Sequence, residues 1–334
     1  MQVHLPLGRK KIVGVGAALV DILAKETDDF LRGISQVKGG MTLVDNRFIE
    51  GILDKISGEI TTVSGGAACN TIVGVAALGG DARFIGMAGE DRFGDLFEKD
   101  LKTNRVEPHL FHSSLPNGKV LSIITPDAER SMFTYLGAAS ELSASHIDET
   151  CFRDAAIVLV EAYLLYNSPD LVLKAMRMAR AEGALVAMDL SSFTVVEHFN
   201  SFLKEEVKNH VNILIANEEE AFAFTGHRDE KKAISEMAQW VDVAVLKIGK
   251  RGSLISYGGE VHTINPLGTG DAVDTTGAGD LWASGFFFGL VNGWPVATCG
   301  KIASACGYEV CQVLGAKIPH EGWVRIKTMV NEAR

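Results

Sequence analysis

At 334 residues, with 47% hydrophobic and 22% charged residues, the chain is long enough for one large core with a smaller appendage, and this balance argues against extensive disorder. A formal net charge of −10 disfavours nucleic acid or an anionic membrane as the main partner, while leaving room for a local basic site that holds phosphate. The five cysteines, Cys69, Cys151, Cys299, Cys306 and Cys311, show no CxxC spacing, so neither a disulfide framework nor a zinc site is expected. A reducing cytoplasm fits this usage. The N-terminus lacks an apolar export segment, and no uncharged run reaches the roughly 20 residues that span a bilayer, so the chain is expected to be soluble and cytoplasmic.

In chain order, Lys11 to Val15 predicts a first buried strand. Residues Ala17 to Leu43, with Gly33, Gly39 and Gly40 among alternating apolar and polar positions, break the pattern that follows. Asn70 to Leu78 has helical character, and Ala82 to Met87 returns to a strand. A second interruption comes at Lys119 to Thr125 and Arg130 to Leu136, two strands around the turn Pro126-Asp127-Ala128-Glu129. Strands at Ala156 to Val160, Leu185 to Met188, Ile213 to Ala216 and Val243 to Ile248 then alternate with helices at Pro169 to Glu182 and Glu218 to Thr225. This order predicts an α/β, doubly wound three-layer α/β/α sandwich made by one domain over residues 1–334. The interruptions, at about 17–46 and 112–137, read as a discontinuous β-sheet lid that would exclude water from a transfer reaction. A β-edge extension or dimer surface is the competing reading, which leaves a homodimer through the lid open.

The segment Asp274-Thr275-Thr276-Gly277-Ala278-Gly279-Asp280 carries the most chemistry. Gly277, Ala278 and Gly279 let the backbone approach an anion, and the apolar run Leu281 to Leu290 reads as a buried helix whose first amides point at it. Asp280 stands where that cradle meets the helix, placed either to take a proton from an attacking hydroxyl or to cap the helix. The segment resembles the C-terminal DTxGAGD signature of the ribokinase-like (PfkB) carbohydrate kinases. The resemblance implies that Asp280 is the catalytic base, that Gly277, Ala278 and Gly279 form the anion hole, and that ATP and Mg2+ are used.

Upstream, Ser64-Gly65-Gly66-Ala67-Ala68-Cys69-Asn70, then Ala76-Ala77-Leu78-Gly79-Gly80 and Phe84 to Gly94, resemble the other family signature, so the likeness covers nearly the whole chain. Gly65 and Gly66 make room for a polyhydroxylated substrate, and Asn70 offers both a donor and an acceptor to its hydroxyls. Asp21, after the first strand, is implied to bind a substrate diol; Ala17 stands where many members carry an asparagine, which removes one substrate hydrogen bond. Gly40, in Gly40-Met41-Thr42-Leu43, and Arg130 join the substrate candidates; their surroundings look somewhat like adenosine kinases. Arg130 also reads as an exposed hairpin charge, and Glu161 as either a cleft residue or the partner of a base.

For the nucleotide, Asn217 and Glu220 match NxxE, which implies Glu220 as an indirect magnesium ligand, although Asn217 followed by three acids equally suits a helix cap. Lys247, Gly249 and Gly252 resemble the strand-end KxGxxG beside ATP, and a hairpin turn accounts for them equally well. Asp274 and Thr276 stand where the family often holds a monovalent cation, so K+ stays open. The expected activity is an ATP-dependent kinase acting on a primary hydroxyl of a sugar or nucleoside. A non-catalytic nucleotide or sugar sensor on the same fold is the alternative.

Overall fold

The computed structural model describes residues 8–35, 38–127, 129–268 and 271–332. The expected start of the chain, Ala128 of the predicted hairpin turn, and residues 36–37 of the first interruption lie outside the described residues.

The apolar, β-branched runs form the middle of a nine-stranded sheet. Its order is Glu260–Ile264, Ser253–Tyr257, Val243–Lys247, Ile213–Asn217, Leu185–Asp189, Ala155–Glu161, Lys11–Val15, Ala82–Gly89 and Glu107–Ser113. The seven strands from Val243–Lys247 to Glu107–Ser113 are parallel, and the first two close the edge as an antiparallel hairpin. Alternation splits the side chains between two cores: Val13, Val15, Val158 and Val160 pack in one, and Ile12, Ile157 and Leu159 in the other. Helices cover both faces, as the predicted three-layer architecture requires. The sequence segments read as strands and helices appear with their ends moved by no more than a few residues.

A second, five-stranded sheet has the order Gly40–Leu43, Arg130–Tyr135, Gly118–Ile124, Leu19–Lys25 and Ile60–Gly65. Four strands come from the two segments expected to interrupt the alternation. The fifth, Ile60–Gly65, lies beyond residue 46 and was missed because its run leads directly into the glycine pair and was absorbed into that motif. Val20, Ile22, Leu121, Ile123 and Phe133 bury one face of this sheet. By strand pairing, Asp21, Leu23, Val120, Met132, Met41 and Leu43 lie on the other face.

From Leu281 to Gly289 the helix Ala278–Val291 is buried on every side, and apart from Ser284 that stretch carries no polar side chain. It crosses the helix Val296–Val310 closely enough that a β-carbon on Gly285 would sit 2.8 Å from the Ala303 Cα, and one on Gly289 2.7 Å from Cys299 Sγ. Gly86 to Gly94 likewise serves packing: a β-carbon on Gly94 would lie 1.9 Å from the Gly89 carbonyl oxygen. Gly51 is different, since in the exposed turn of the helix Asn46–Leu53 a β-carbon there meets no described atom within 4 Å. We therefore expect Gly285→Val to lower stability by about 1–3 kcal/mol through overpacking. Gly51→Ala is expected to raise it by roughly 0.4–1 kcal/mol by restricting the unfolded chain. Urea midpoints followed by circular dichroism check both signs.

Candidate active site

Two glycine-rich segments meet over the C-terminal ends of the parallel strands. The first leaves the strand Ile60–Gly65 and starts the helix Ala67–Ala77. Gly66 adopts φ 95°, and a β-carbon there would lie 2.5 Å from the Ala17 carbonyl oxygen, so only glycine fits. A β-carbon on Gly65 would lie 2.4 Å from Asp21 Cγ, so the missing side chain is what lets the Asp21 carboxyl tuck against the backbone. Burial pushes the Asp21 pKa up to about 6, against the pull of the Arg130 and Lys317 charges.

The second segment starts the helix Ala278–Val291, with Gly277 at φ 73° before the first turn. Helix geometry leaves the first amides unpaired within the helix, so those of Gly279 and Asp280 open toward the cleft side. Asp280 occupies that first turn, and Asn70 Nδ2 donates to its Oδ2 at 2.9 Å. Thr71 Oγ1 donates to the Asp280 carbonyl at 3.1 Å, so one helix of the glycine-pair segment fixes both ends of the residue. Burial raises the Asp280 pKa to about 7; the Asn70 hydrogen bond lowers it, and the Asp189 charge raises it. A carboxyl poised near neutrality beside a row of free amides can accept a proton while the amides hold an anion.

Glu161 faces neither a basic partner nor open solvent. Its Oε1 accepts from the Ala17 amide and its Oε2 from the Ala68 amide, both at 2.8 Å, and the side chain is buried. Burial raises its pKa to about 7 against the opposing effect of these two amides. Ala17 thus contributes its backbone to the clasp.

Arg130 points inward. Its Nη1 donates to Thr276 Oγ1, and its Nη2 lies 3.2 Å from Asp274 Oδ2, off the line of a hydrogen bond. Asp274 Oδ1 accepts from the Thr276 amide at 3.0 Å and its hydroxyl at 2.8 Å, and Oδ2 from the Gly315 amide at 2.8 Å. Burial alone would raise the Asp274 pKa, but these bonds and the Arg130 charge hold it below the usual carboxylate range. Gly40 stands apart: its strand is exposed along its length at the sheet edge, and a β-carbon there meets no described atom within 4 Å.

On the opposite side of Gly279, a cleft with about 280 Å³ of open volume is lined by Lys247, Gly249, Gly252, Ala278 and Tyr308, among others. Gly252 has φ 99° and a would-be β-carbon 2.0 Å from the Ile264 carbonyl oxygen, so the hairpin demands this glycine. The hairpin and the cleft wall are the same structure. Lys247 Nζ bonds Asp189 Oδ2 at 3.0 Å, and a β-carbon on Gly279 would come 2.8 Å from that Nζ. Burial depresses the Lys247 pKa, but the Asp189 and Glu220 charges outweigh it and leave the ammonium above its usual value. Asn217 and Glu220 form a reciprocal helix cap: Asn217 Oδ1 accepts from the Glu220 amide at 2.9 Å, and Glu220 accepts from the Asn217 amide and side chain at 2.8 and 2.7 Å. The Glu220 pKa is raised, first by burial and then by Asp189.

Asp189, Lys317 and Asp100 escaped the sequence reading. Asp189 had a signal, an acid closing an apolar strand. Lys317, which bonds Asp100 Oδ2 at 2.5 Å while Ser64 donates to the same oxygen, had none, because its partner Asp100 is 217 positions away in sequence.

Residues 41–322 match the family described as pfkB family carbohydrate kinase. The chain is 31% identical over 267 residues to 5-dehydro-2-deoxygluconokinase of Geobacillus thermodenitrificans, covering 73% of this chain and 77% of that protein. It is 27% identical over 332 residues to adenosine kinase of Saccharomyces cerevisiae, covering 93% and 97%. Among solved structures, adenosine kinase from Sinorhizobium meliloti superposes with a TM-score of 0.87 at 31% identity, covering 98% of this chain and 100% of that one. A probable sugar kinase from Rhizobium etli gives 0.87 at 30%, covering 97% and 99%. The chain belongs to the pfkB family of carbohydrate kinases, and is a sugar or nucleoside kinase on the ribokinase-like α/β fold.

Proposed function

We propose that this kinase transfers the γ-phosphate of ATP to the primary hydroxyl of a nucleoside, with Asp280 as the base. The 2.9 Å bond from Asn70 to Asp280 carries the reading, because it joins the acceptor glycine segment to the anion cradle at one carboxylate. Asp21 and Asn70 hold the acceptor's hydroxyls beside Gly65 and Gly66. As the acceptor oxygen bonds to phosphorus and the bond to the ADP oxygen breaks, the hydroxyl proton passes to Asp280. The unpaired amides of Gly279 and Asp280, just after the Gly277-Ala278 turn, take up the charge on the transferring group together with Arg130, whereas the Ala278 amide is engaged by the Thr275 carbonyl at 3.1 Å.

ATP lies in the cleft between Lys247, Gly249, Gly252 and Tyr308, which puts its phosphates at Gly279 and the Lys247 ammonium. No three His, Cys, Asp or Glu side chains among the described residues converge as a metal cage. Magnesium that keeps water and phosphate ligands suits this donor set, with Glu220 and Asp189 acting through water, and when bound it neutralises phosphate charge.

A nucleoside is favoured over a free sugar by the face of the second sheet that carries Asp21. It holds Leu23, Val120, Met132, Met41 and Leu43, with Met41 50% and Leu43 63% exposed. An apolar surface beside a diol-binding carboxylate suits a flat base attached to a ribose. The same sheet acts as a lid, and its exposed edge strand Gly40–Leu43 offers the contact for a homodimer. Five free thiols fit a reducing cytoplasm, and no described helix is long and apolar enough to cross a membrane. The sugar reading rests on the gluconokinase likeness.

A coupled ADP-release assay against adenosine, inosine, ribose, fructose and 5-dehydro-2-deoxygluconate separates the substrates; greater kcat/KM for a nucleoside than for every sugar is expected. Asp280→Asn should keep the native circular dichroism spectrum and lose about 10²–10⁴-fold in kcat. Near-normal turnover of that variant removes Asp280 from its role. Because the base works only when ionised and its pKa is about 7, kcat/KM should fall below neutrality, approaching about tenfold per pH unit. A flat profile from pH 5.5 to 8, an interval of about one unit or more on either side of that pKa, contradicts the assignment.

A further inference from the structure

We propose that the Arg130 guanidinium is the resident monovalent cation of this site, so that transfer proceeds without K+; the activity arm of the test rests on the kinase reading above. The donor set that would receive an ion is Asp274 and Thr276, and it is already engaged. Asp274 Oδ1 takes the Thr276 amide and hydroxyl, and Oδ2 takes the Gly315 amide. The Thr276 hydroxyl donates to Asp274 and accepts from Arg130 Nη1, which uses its hydrogen and one of its lone pairs. Arg130 Nη2 stands 3.2 Å from Asp274 Oδ2, and the side chains of both residues are 12% exposed. A second cation at that carboxylate would face the guanidinium at close range in a site screened little by solvent.

The origin of Arg130 gives the arrangement a consequence. It begins the strand Arg130–Tyr135 of the second sheet, whereas Asp274 and Thr276 lead into the helix of the candidate base. The charge that compensates Asp274 therefore arrives with the second sheet, not from solution, and docking of that sheet is what neutralises the segment before the anion cradle. Lys317 also comes near from the loop that follows Gly315, but its ammonium is held by Asp100 at 2.5 Å. Lys247, on the other side of Gly279, is held by Asp189 at 3.0 Å. Arg130 Nη2 is buried without an aligned acceptor, which leaves an N–H for an oxygen of the transferring phosphate.

The test compares the wild-type protein and Arg130→Met in potassium chloride and in tetramethylammonium chloride at equal ionic strength, reading turnover and the thermal midpoint. For the wild type, turnover within about twofold in the two salts and the same midpoint are expected. K+ activation above about tenfold with a K+-specific rise in midpoint overturns the proposal. Arg130→Met empties the seat, so its midpoint should rise in K+ but not in tetramethylammonium, and its lowered turnover should recover in part with K+ or with added guanidinium. No K+ effect on that variant's midpoint and no rescue by either cation also overturns it. Arg130→Lys, which keeps a charge, should stay K+-independent and exceed Arg130→Met in turnover; K+ dependence in the lysine variant counts against the proposal. A wild type inactive on the whole acceptor panel in both salts would instead refute the kinase reading, while the midpoints still report on the cation seat.

Discussion

One buried carboxyl ties two segments of the candidate site together. Glu161 ends the strand Ala155–Glu161 in the middle of the large sheet, and its two oxygens hold the amides of Ala17 and Ala68 at 2.8 Å each. Those amides belong to segments 51 positions apart, one leading to Asp21 and the other beginning the helix that carries Asn70. Each hydrogen bond contributes about 0.5–1.5 kcal/mol, and removing the acceptor leaves two amides without a partner. Gly16 completes the constraint, since a β-carbon there would lie 2.8 Å from Glu161 Oε2. The sheet thus sets the distance between Asp21 and Asn70 through a side chain that need not touch the acceptor.

The same placement has an electrostatic consequence. Asp280, Glu161 and Glu220 all lie where burial raises carboxyl pKa values, and each sees the charge of neighbouring acids. Lys247 opposes them from within, held above its usual pKa by Asp189 and Glu220. Full ionisation of this group is therefore costly until positive charge enters the cleft, and metal-bound phosphate is what such a field attracts. An Asp280 carboxyl near neutrality follows from burial and the crowding of acids in a dry site as much as from anything in the side chain itself.

Much of this was legible because the residues concerned cannot be exchanged. The parallel strands show as apolar runs since both their faces are buried, and the turn shows as Gly277-Ala278-Gly279 since β-carbons on its two glycines would meet Ala316 and Lys247. Other features were hidden where one residue serves two purposes. Asn217 and Glu220 make the reciprocal cap that their spacing equally predicts, and Gly252 is required by the Ile264 carbonyl whether or not a nucleotide binds. The sequence left Arg130 open between an inward substrate contact and an exposed hairpin charge, because an arginine starting a hairpin strand has the same local pattern in either direction. Its direction is decided by Asp274 and Thr276, more than 140 positions away. The fifth strand of the second sheet was concealed by the glycine pair that ends it.

That last overlap joins the glycine pair to the second sheet. Gly65 is at once the final residue of an edge strand, the neighbour that makes room for Asp21, and the entry to the helix of Asn70. Leu19 pairs with Gly65 in one direction and with Gly118 in the other, and the strand starting at Gly118 pairs with the one that begins at Arg130. Three strand pairings therefore link the Gly65 segment to the guanidinium at Asp274. Backbone pairing makes this path stiff, because strand register cannot slip by one residue without turning the buried faces of Val20, Leu121 and Phe133 outward. The second sheet thus joins Asp21, on one of its strands, and the Arg130 that faces Asp274, on another, through continuous backbone pairing.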